Sequence, residues 1–403
     1  MGTDSLKGRA NQLPPHATWL TFSGTSGTPN GRATGQGLGE VNKVALHPFE
    51  CLESVIEYPP THSIVGVYMT AMTYVDVHRQ TAAGIDAERE AALELLGSAP
   101  SVRAAVAKLL KSRAFKYPLS VLPLIVHAVE AGTLEPALPL AVVHELWWTS
   151  ACCLDDLADS KDSRVTGTLP ESDALLATVI AGNPLPLLVV QSERVPKPVR
   201  DVLRAEIVTC WITATDGQLR DLHGATADTT RDSVAAAYLS KSGAPFSMIT
   251  AMAAQLANAQ KSRVALWREF GEVFGVLWQL LNDQEDILSG RNEDILNGTA
   301  TYLLACAFDE AAPGPAEHLR ALHRAAKRSA ADRTELAAHL LAPRVLRRYQ
   351  QDIDGFRDRA RRILDTLDGT PEYLSVLHDL VDRTSRMLLH PGASLEPAPA
   401  TGS

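Results

Sequence analysis

The stretch His144–Thr166, HELWWTSACCLDDLADSKDSRVT, sets three carboxylates, Asp155, Asp156 and Asp159, into an otherwise apolar helical run. At about 3.6 residues per turn, Asp155 and Asp159 stack on one face, and Asp156 lies about 100° round from them. All three can reach one pocket. Carboxylates flanked by Leu146, Trp147, Trp148, Cys152 and Leu154 are costly to desolvate unless a positive group compensates them. Hard divalent cations with oxygen ligands supply that compensation, and Mg²⁺ held by one or two carboxylates commonly shares its shell with substrate phosphates. The same DDLAD would also serve as a solvated helix end near a turn.

Working outward, the 403-residue chain has room for one large domain or two ordinary ones. A formal charge of -9 and the absence of any long Lys/Arg run argue against a nucleic-acid binder. The best candidate for a membrane span, Pro118–Val143, is broken by His127, Glu130, Glu135 and internal prolines, so no span is expected. The N-terminus has no apolar signal core, which makes the cytoplasm the expected location. Cys51, Cys152, Cys153, Cys210 and Cys306 lack metal-ligand spacing and read as reduced packing residues.

Residues 1–45 are Gly-, Thr- and Ser-rich without periodicity and read as a flexible arm, and 391–403 as a disordered tail. The intervening 46–390 reads as one all-α domain. Apolar residues at i, i+3, i+4 spacing predict helices at about 63–82, 85–97, 100–113, 118–131, 136–160, 171–191, 197–222, 231–240, 243–259, 262–289, 300–308, 315–340, 343–368 and 370–388. No alternating strand pattern stands out, so the expected architecture is a helix bundle.

A second acidic cluster follows on another long helix: Asn282, Asp283, Glu285 and Asp286 interrupt the apolar run Phe270–Leu281, with Asn282 and Asp286 four apart. Two such helices facing each other would make a cage of oxygen ligands. An anionic substrate bridging those cations also needs bases nearby. Lys241, in YLSKSGAPF, and Arg164, five residues past Asp159, suit phosphate contacts.

In this order the motifs resemble the trans-isoprenyl diphosphate synthase family, over about residues 110–305. DDLAD resembles the first DDxxD motif and DSRVTG the D-x-R-R-G that follows it. TATDGQLRDL, with Gly217, Gln218 and Asp221, resembles GQxxDL, and YLSKSGAPFSM resembles KTxxLF at Lys241 and Ser242. REFGEVFGVLWQLLNDQED, with Gln279, resembles the second aspartate-rich motif, and DILNGTATYLL resembles D-L-x-x-G-K-x-T-x-P-L. The resemblance implies the isoprenoid-synthase fold, an antiparallel helix bundle around a deep apolar cavity, usually as a homodimer. It also implies three Mg²⁺ ions on Asp155, Asp156, Asp159, Asn282, Asp283 and Asp286 holding an allylic diphosphate, with Gln218, Ser242 and Gln279 beside it.

Departures from the pattern fall on the half of the site that holds the condensing partner. The second Arg of the family pair is Val165 here, and Trp148 replaces a His seven residues before the first Asp. Arg113 and Lys116 echo G-K-x-x-R-P only in a shifted register, and Thr299 stands where the family has Lys. Losing one charge-assisted contact to a diphosphate costs about 1.5–3 kcal/mol. Asn282 opens the second motif as in terpene synthases, and Arg348-Tyr349 resembles their C-terminal Arg-Tyr pair. The expected chemistry is ionisation of a C15 or C20 allylic diphosphate, with Lys241 and Arg164 at the leaving group and Trp147, Trp148, Trp211, Phe274 and Trp278 facing the cation. Small Ser150 and Ala151 leave depth for a long chain. The sequence favours a class I terpene synthase that cyclises the cation. The alternatives are a prenyl diphosphate synthase or transferase and a non-catalytic partner subunit.

Overall fold

Hydrogen-bonding side chains fix where four of the described helices begin. Thr73 and Asp76 form a reciprocal capping box at the start of the first helix, Thr230 and Ser233 another, and Thr301 and Ser329 each cap a helix N-terminus. Prolines at or near the first helical positions, such as Pro184, Pro313, Pro343 and Pro371, sit where their missing N–H costs nothing. The structure, a computed structural model, describes residues 72–112, 120–159, 169–223 and 229–391, with Asp159 and His223 by backbone only.

Among the described residues there are sixteen α-helices and no strand. They are α1 Tyr74–Glu94, α2 Pro100–Ser112, α3 Leu122–Ala131, α4 Leu138–Asp159, α5 Glu171–Gly182, α6 Pro184–Gln191, α7 Arg200–His223 and α8 Arg231–Tyr238. After the π turn Leu239–Gly243 come α9 Ala244–Leu256, α10 Lys261–Leu288, α11 Glu293–Asn297, α12 Tyr302–Glu310, α13 Pro313–Ala326, α14 Ala330–Leu340, α15 Pro343–Thr366 and α16 Pro371–Thr384. The all-α expectation is met.

The two aspartate-rich helices are long, about 33 Å for α4 and about 42 Å for α10. α10 packs along α9 and α15, and α4 along α5 and α1. Close approach of α10 to the π turn requires a glycine: a Cβ on Gly275 would lie 2.6 Å from Gly243 Cα. α9 packs against both α4 and α10, and there Trp147 and Trp148 of α4, Phe246 of α9, and Phe274 and Trp278 of α10 are buried. Burial of each such side chain stabilises the fold by about 1.5–3 kcal/mol.

Several expected boundaries shift. The break expected near residue 83 is absent, and α1 runs through Gly84. The expected helix 171–191 divides at Asn183, because Pro184 has no N–H to continue the ladder. The expected helix 315–340 divides at residues 327–329, where Ser329 caps α14. The absence of a membrane-length stretch also needs correction. Glu135–Ala158 is long and apolar enough to cross a membrane, although 78% of its most apolar window is buried inside the protein, and the likewise apolar Glu171–Gln191 is interrupted at Asn183. The arm, residues 63–71 and most of the tail lie outside the described residues.

Candidate active site

The π turn Leu239–Gly243 directs Lys241 at two other helices. Its Nζ lies 2.8 Å from Asp221 Oδ2 on α7 and 3.4 Å from Asp155 Oδ1 on α4. Gln218 Nε2 donates to the same Asp155 oxygen at 2.5 Å. Gln218 and Asp221 are three apart, so both fall on one face of α7. That face can meet the turn because residue 217 is glycine: a Cβ there would lie 2.5 Å from the Lys241 backbone nitrogen. Burial alone would lower the Lys241 pKa, but Asp155 and Asp221 outweigh it and hold the ammonium above its ordinary value. Lys241 is therefore a fixed positive charge joining three elements.

The end of α10 supplies the facing wall. Asp283 accepts from Tyr238 Oη at 2.5 Å and from Gln279 Nε2 at 2.9 Å, and Gln279 Oε1 accepts from Ser242 Oγ at 2.6 Å. Burial pushes the Asp283 pKa up to about 7 in spite of those two donors. Asp286 accepts the backbone N–H groups of Glu293 (3.1 Å) and Asp294 (3.3 Å), and so caps α11. Burial raises its pKa too, although Arg291, 3.8 Å away, opposes the shift. Glu293 sits above the ordinary carboxylate range through burial, with Asp286, Asp156 and Asp155 adding to the effect. Asp294 is raised likewise by burial, Asp283, Asp286 and Asp221.

These mutual influences gather carboxylates from α4, α7, α10 and α11 into one neighbourhood, opposed by Lys241 and Arg291. Closely spaced, partly desolvated carboxylates that raise one another's pKa are the donor set hard divalent cations favour. The residues present fit Mg²⁺ ions. Asp155, Asp156 and Asp286 would hold them, and the cations would take up negative charge developing on a bound phosphate.

The family model for polyprenyl synthetases matches residues 118–340, which is more than half of the chain. The chain belongs to the polyprenyl synthetase family. Many solved structures share its fold, among them three prenyl diphosphate synthases. Geranylgeranyl pyrophosphate synthetase from Pyrococcus horikoshii Ot3 is 17% identical with a TM-score of 0.65, covering 78% of this chain and 99% of that one. A decaprenyl diphosphate synthase from Rhodobacter capsulatus is 18% identical with a TM-score of 0.63, covering 77% and 98%. Geranylgeranyl pyrophosphate synthase from Corynebacterium glutamicum, complexed with isoprenyl diphosphate and magnesium, is 19% identical with a TM-score of 0.61, covering 75% and 97%. Comparison with curated proteins gives no match.

Within this polyprenyl synthetase fold, Asp155, Asp156, Gln218, Lys241, Ser242, Gln279, Asp283 and Asp286 come together as described. Asn282 is half-buried on α10, one turn before Asp286. Asp159 is the last residue of α4. Arg164, Val165, Arg113 and Lys116 lie outside the described residues.

The expected diphosphate pair near the C-terminus is a correction. Tyr349 is fully buried and donates its hydroxyl to the Leu280 carbonyl, pinning α15 to α10. Arg348 lies 3.5 Å from Asp352, in a network with Arg231 and Asp309. Ser150 is a second correction. It is buried facing Gly182, where a Cβ would lie 2.7 Å from Ser150 Cβ and from Trp211, so its small size lets α4 approach α5 rather than deepening a cavity. Ala151 beside it is half-buried against the core.

The aromatics pack ring against ring. Trp147 meets Trp211 at 4.8 Å, and Phe246 meets Phe274, Trp148 and Trp278 at 5.1, 5.2 and 5.7 Å. Trp211 also donates to the Gly182 carbonyl at 2.6 Å. Phe246, the hub, was not among the residues singled out from sequence, and neither were Tyr238, Asp221, Glu293 and Asp294 as site residues. Asp221, Asp294, Tyr238 and Phe246 stand within the quoted motifs, but the role of Tyr238 depends on a contact 45 residues away.

Proposed function

We propose that this protein is a Mg²⁺-dependent prenyl diphosphate synthase. It ionises a C15 or C20 allylic diphosphate and joins the prenyl group to an acceptor, in the first instance isopentenyl diphosphate. The observation that carries the reading is Lys241, held by the π turn between Asp155 of α4 and Asp221 of α7. A charge kept positive beside hard-cation ligands is suited to a diphosphate, and the similar structures named as geranylgeranyl and decaprenyl diphosphate synthases support the chain-elongating form of the reaction.

In that reaction the allylic C–O bond breaks and its electron pair leaves with the diphosphate. Lys241 meets the growing negative charge, and Gln218 and Asp221 hold Asp155 and Lys241 in place. The acceptor double bond supplies the pair for the new C–C bond, and its lost proton goes to the diphosphate.

A second reading, cyclisation without an acceptor, is favoured by Asn282 at the head of the second motif and by Trp148 where the family has His. The test is incubation with Mg²⁺ and geranyl, farnesyl or geranylgeranyl diphosphate, each with and without isopentenyl diphosphate. Longer diphosphates that appear only with isopentenyl diphosphate, and vanish with a chelator and in Asp155→Ala, uphold the synthase. Hydrocarbon or alcohol formed without it overturns the synthase in favour of the cyclase.

A further inference from the structure

Away from the carboxylate cluster, α13 and α14 form a helical hairpin whose surface carries a different donor set. Glu335 and His339, four apart, share one face of α14, and His318 comes from α13. His318 Nε2 lies 3.0 Å from Glu335 Oε1, and the two imidazole rings stand 6.1 Å apart at 75°. One ligand atom from each of the three side chains lies within 4.8 Å of the other two.

We infer that His318, Glu335 and His339 form a site for a borderline divalent transition metal, Zn²⁺ by preference, that clips α13 to α14. Zn–N and Zn–O bonds of about 2.0–2.2 Å in a tetrahedron set neighbouring ligand atoms roughly 3.3–3.5 Å apart. One pair is already that close, and small turns of exposed side chains close the rest. Two imidazoles and a single carboxylate select against Mg²⁺ and Ca²⁺, which prefer all-oxygen shells. The fourth position faces solvent and takes water.

The clip has a structural consequence. His323 of α13 lies 3.3 Å from the Thr299 carbonyl, just past α11, and α13 packs against α11, the element that carries Glu293 and Asp294. Fixing the hairpin therefore steadies one wall of the acidic cluster.

The experiment uses the full chain in excess Mg²⁺, which occupies the carboxylate cluster, titrated with chelator-buffered Zn²⁺. Bound zinc and thermal unfolding are both measured, for wild type and for the His318→Ala/His339→Ala double variant. The wild type should retain about one more Zn²⁺ per chain than the double variant. Its Tm should rise by roughly 3 °C at a hundredfold excess over Kd, a rise the double variant lacks. Equal zinc binding by the two proteins, or a Tm rise of the same size in both, would reduce the triad to a surface ion pair and overturn the proposal.

Discussion

Replacing Lys241 by alanine removes the cation that Asp155 and Asp221 hold in place. Loss of one preorganised charge at a departing anion lowers turnover by about 10²–10³-fold, so Lys241→Ala should lose that much kcat in a prenyl-transfer assay. Tyr238 acts differently. Its hydroxyl donates to Asp283 and accepts the buried N–H of Tyr302 at 3.1 Å. Tyr238→Phe leaves both without that partner, which costs about 1–3 kcal/mol and should appear as a lower urea midpoint at unchanged m-value. Activity should fall far less than for Lys241→Ala, since Asp283 keeps its bond from Gln279. Equal kinetic losses in the two variants would mean that Tyr238 touches the substrate.

Among the elements, the π turn and α7 place the site, and their fit depends on the side chain missing at position 217. Gly217→Ala sets a methyl carbon 2.5 Å from the Lys241 nitrogen and 2.7 Å from Ser240 Cβ, against atoms of the turn itself. One element must move. Overpacking of this kind costs about 1–3 kcal/mol, and because Gln218 and Lys241 move with it, kcat should fall at least tenfold with the Mg²⁺ dependence kept. A wild-type rate in Gly217→Ala would show that the turn relaxes freely. The same elements mark how far the sequence could be read. Carboxylates inside apolar runs stand out because nothing else in a core helix resembles them, so both acidic helices and the bundle were legible. Short-range chain reversal was not. α11 follows a turn with Gly290 at φ 72° and Asn292 at φ 51°, and is capped by an aspartate seven residues upstream. No periodic signal carries that geometry. Arg348-Tyr349 misled because a dipeptide does not specify its spatial neighbours, which here are Asp352 and the Leu280 carbonyl.

For the whole molecule the governing feature is an apolar face on α5, α6 and α7. Of the twelve large apolar side chains left exposed among the described residues, nine lie there: Leu175, Leu176, Val179, Leu188, Val202, Val208, Ile212, Leu219 and Leu222. Leu176 is 67% exposed and Ile212 68%. Apolar side chains exposed this far on three successive helices mark an interaction surface rather than isolated surface residues. The ion pairs bordering the face, Arg204–Asp201 and Arg220–Asp216, are closed within α7, and the chain is net negative. An anionic membrane surface is thus disfavoured, and we propose a second copy of the chain as the occupant. A two-fold dimer would set α7 against its symmetry mate, with Gln218 and Asp221 on the same helix as the contact. Ile212→Glu buries an unpaired charge at that contact, so light scattering should shift from dimer to monomer. Turnover should fall as α7 loses its support, while the monomer keeps its helical circular dichroism. If wild type is monomeric at micromolar concentration, or Ile212→Glu remains dimeric, the face has another occupant, and vesicle flotation would then distinguish a membrane from a different protein.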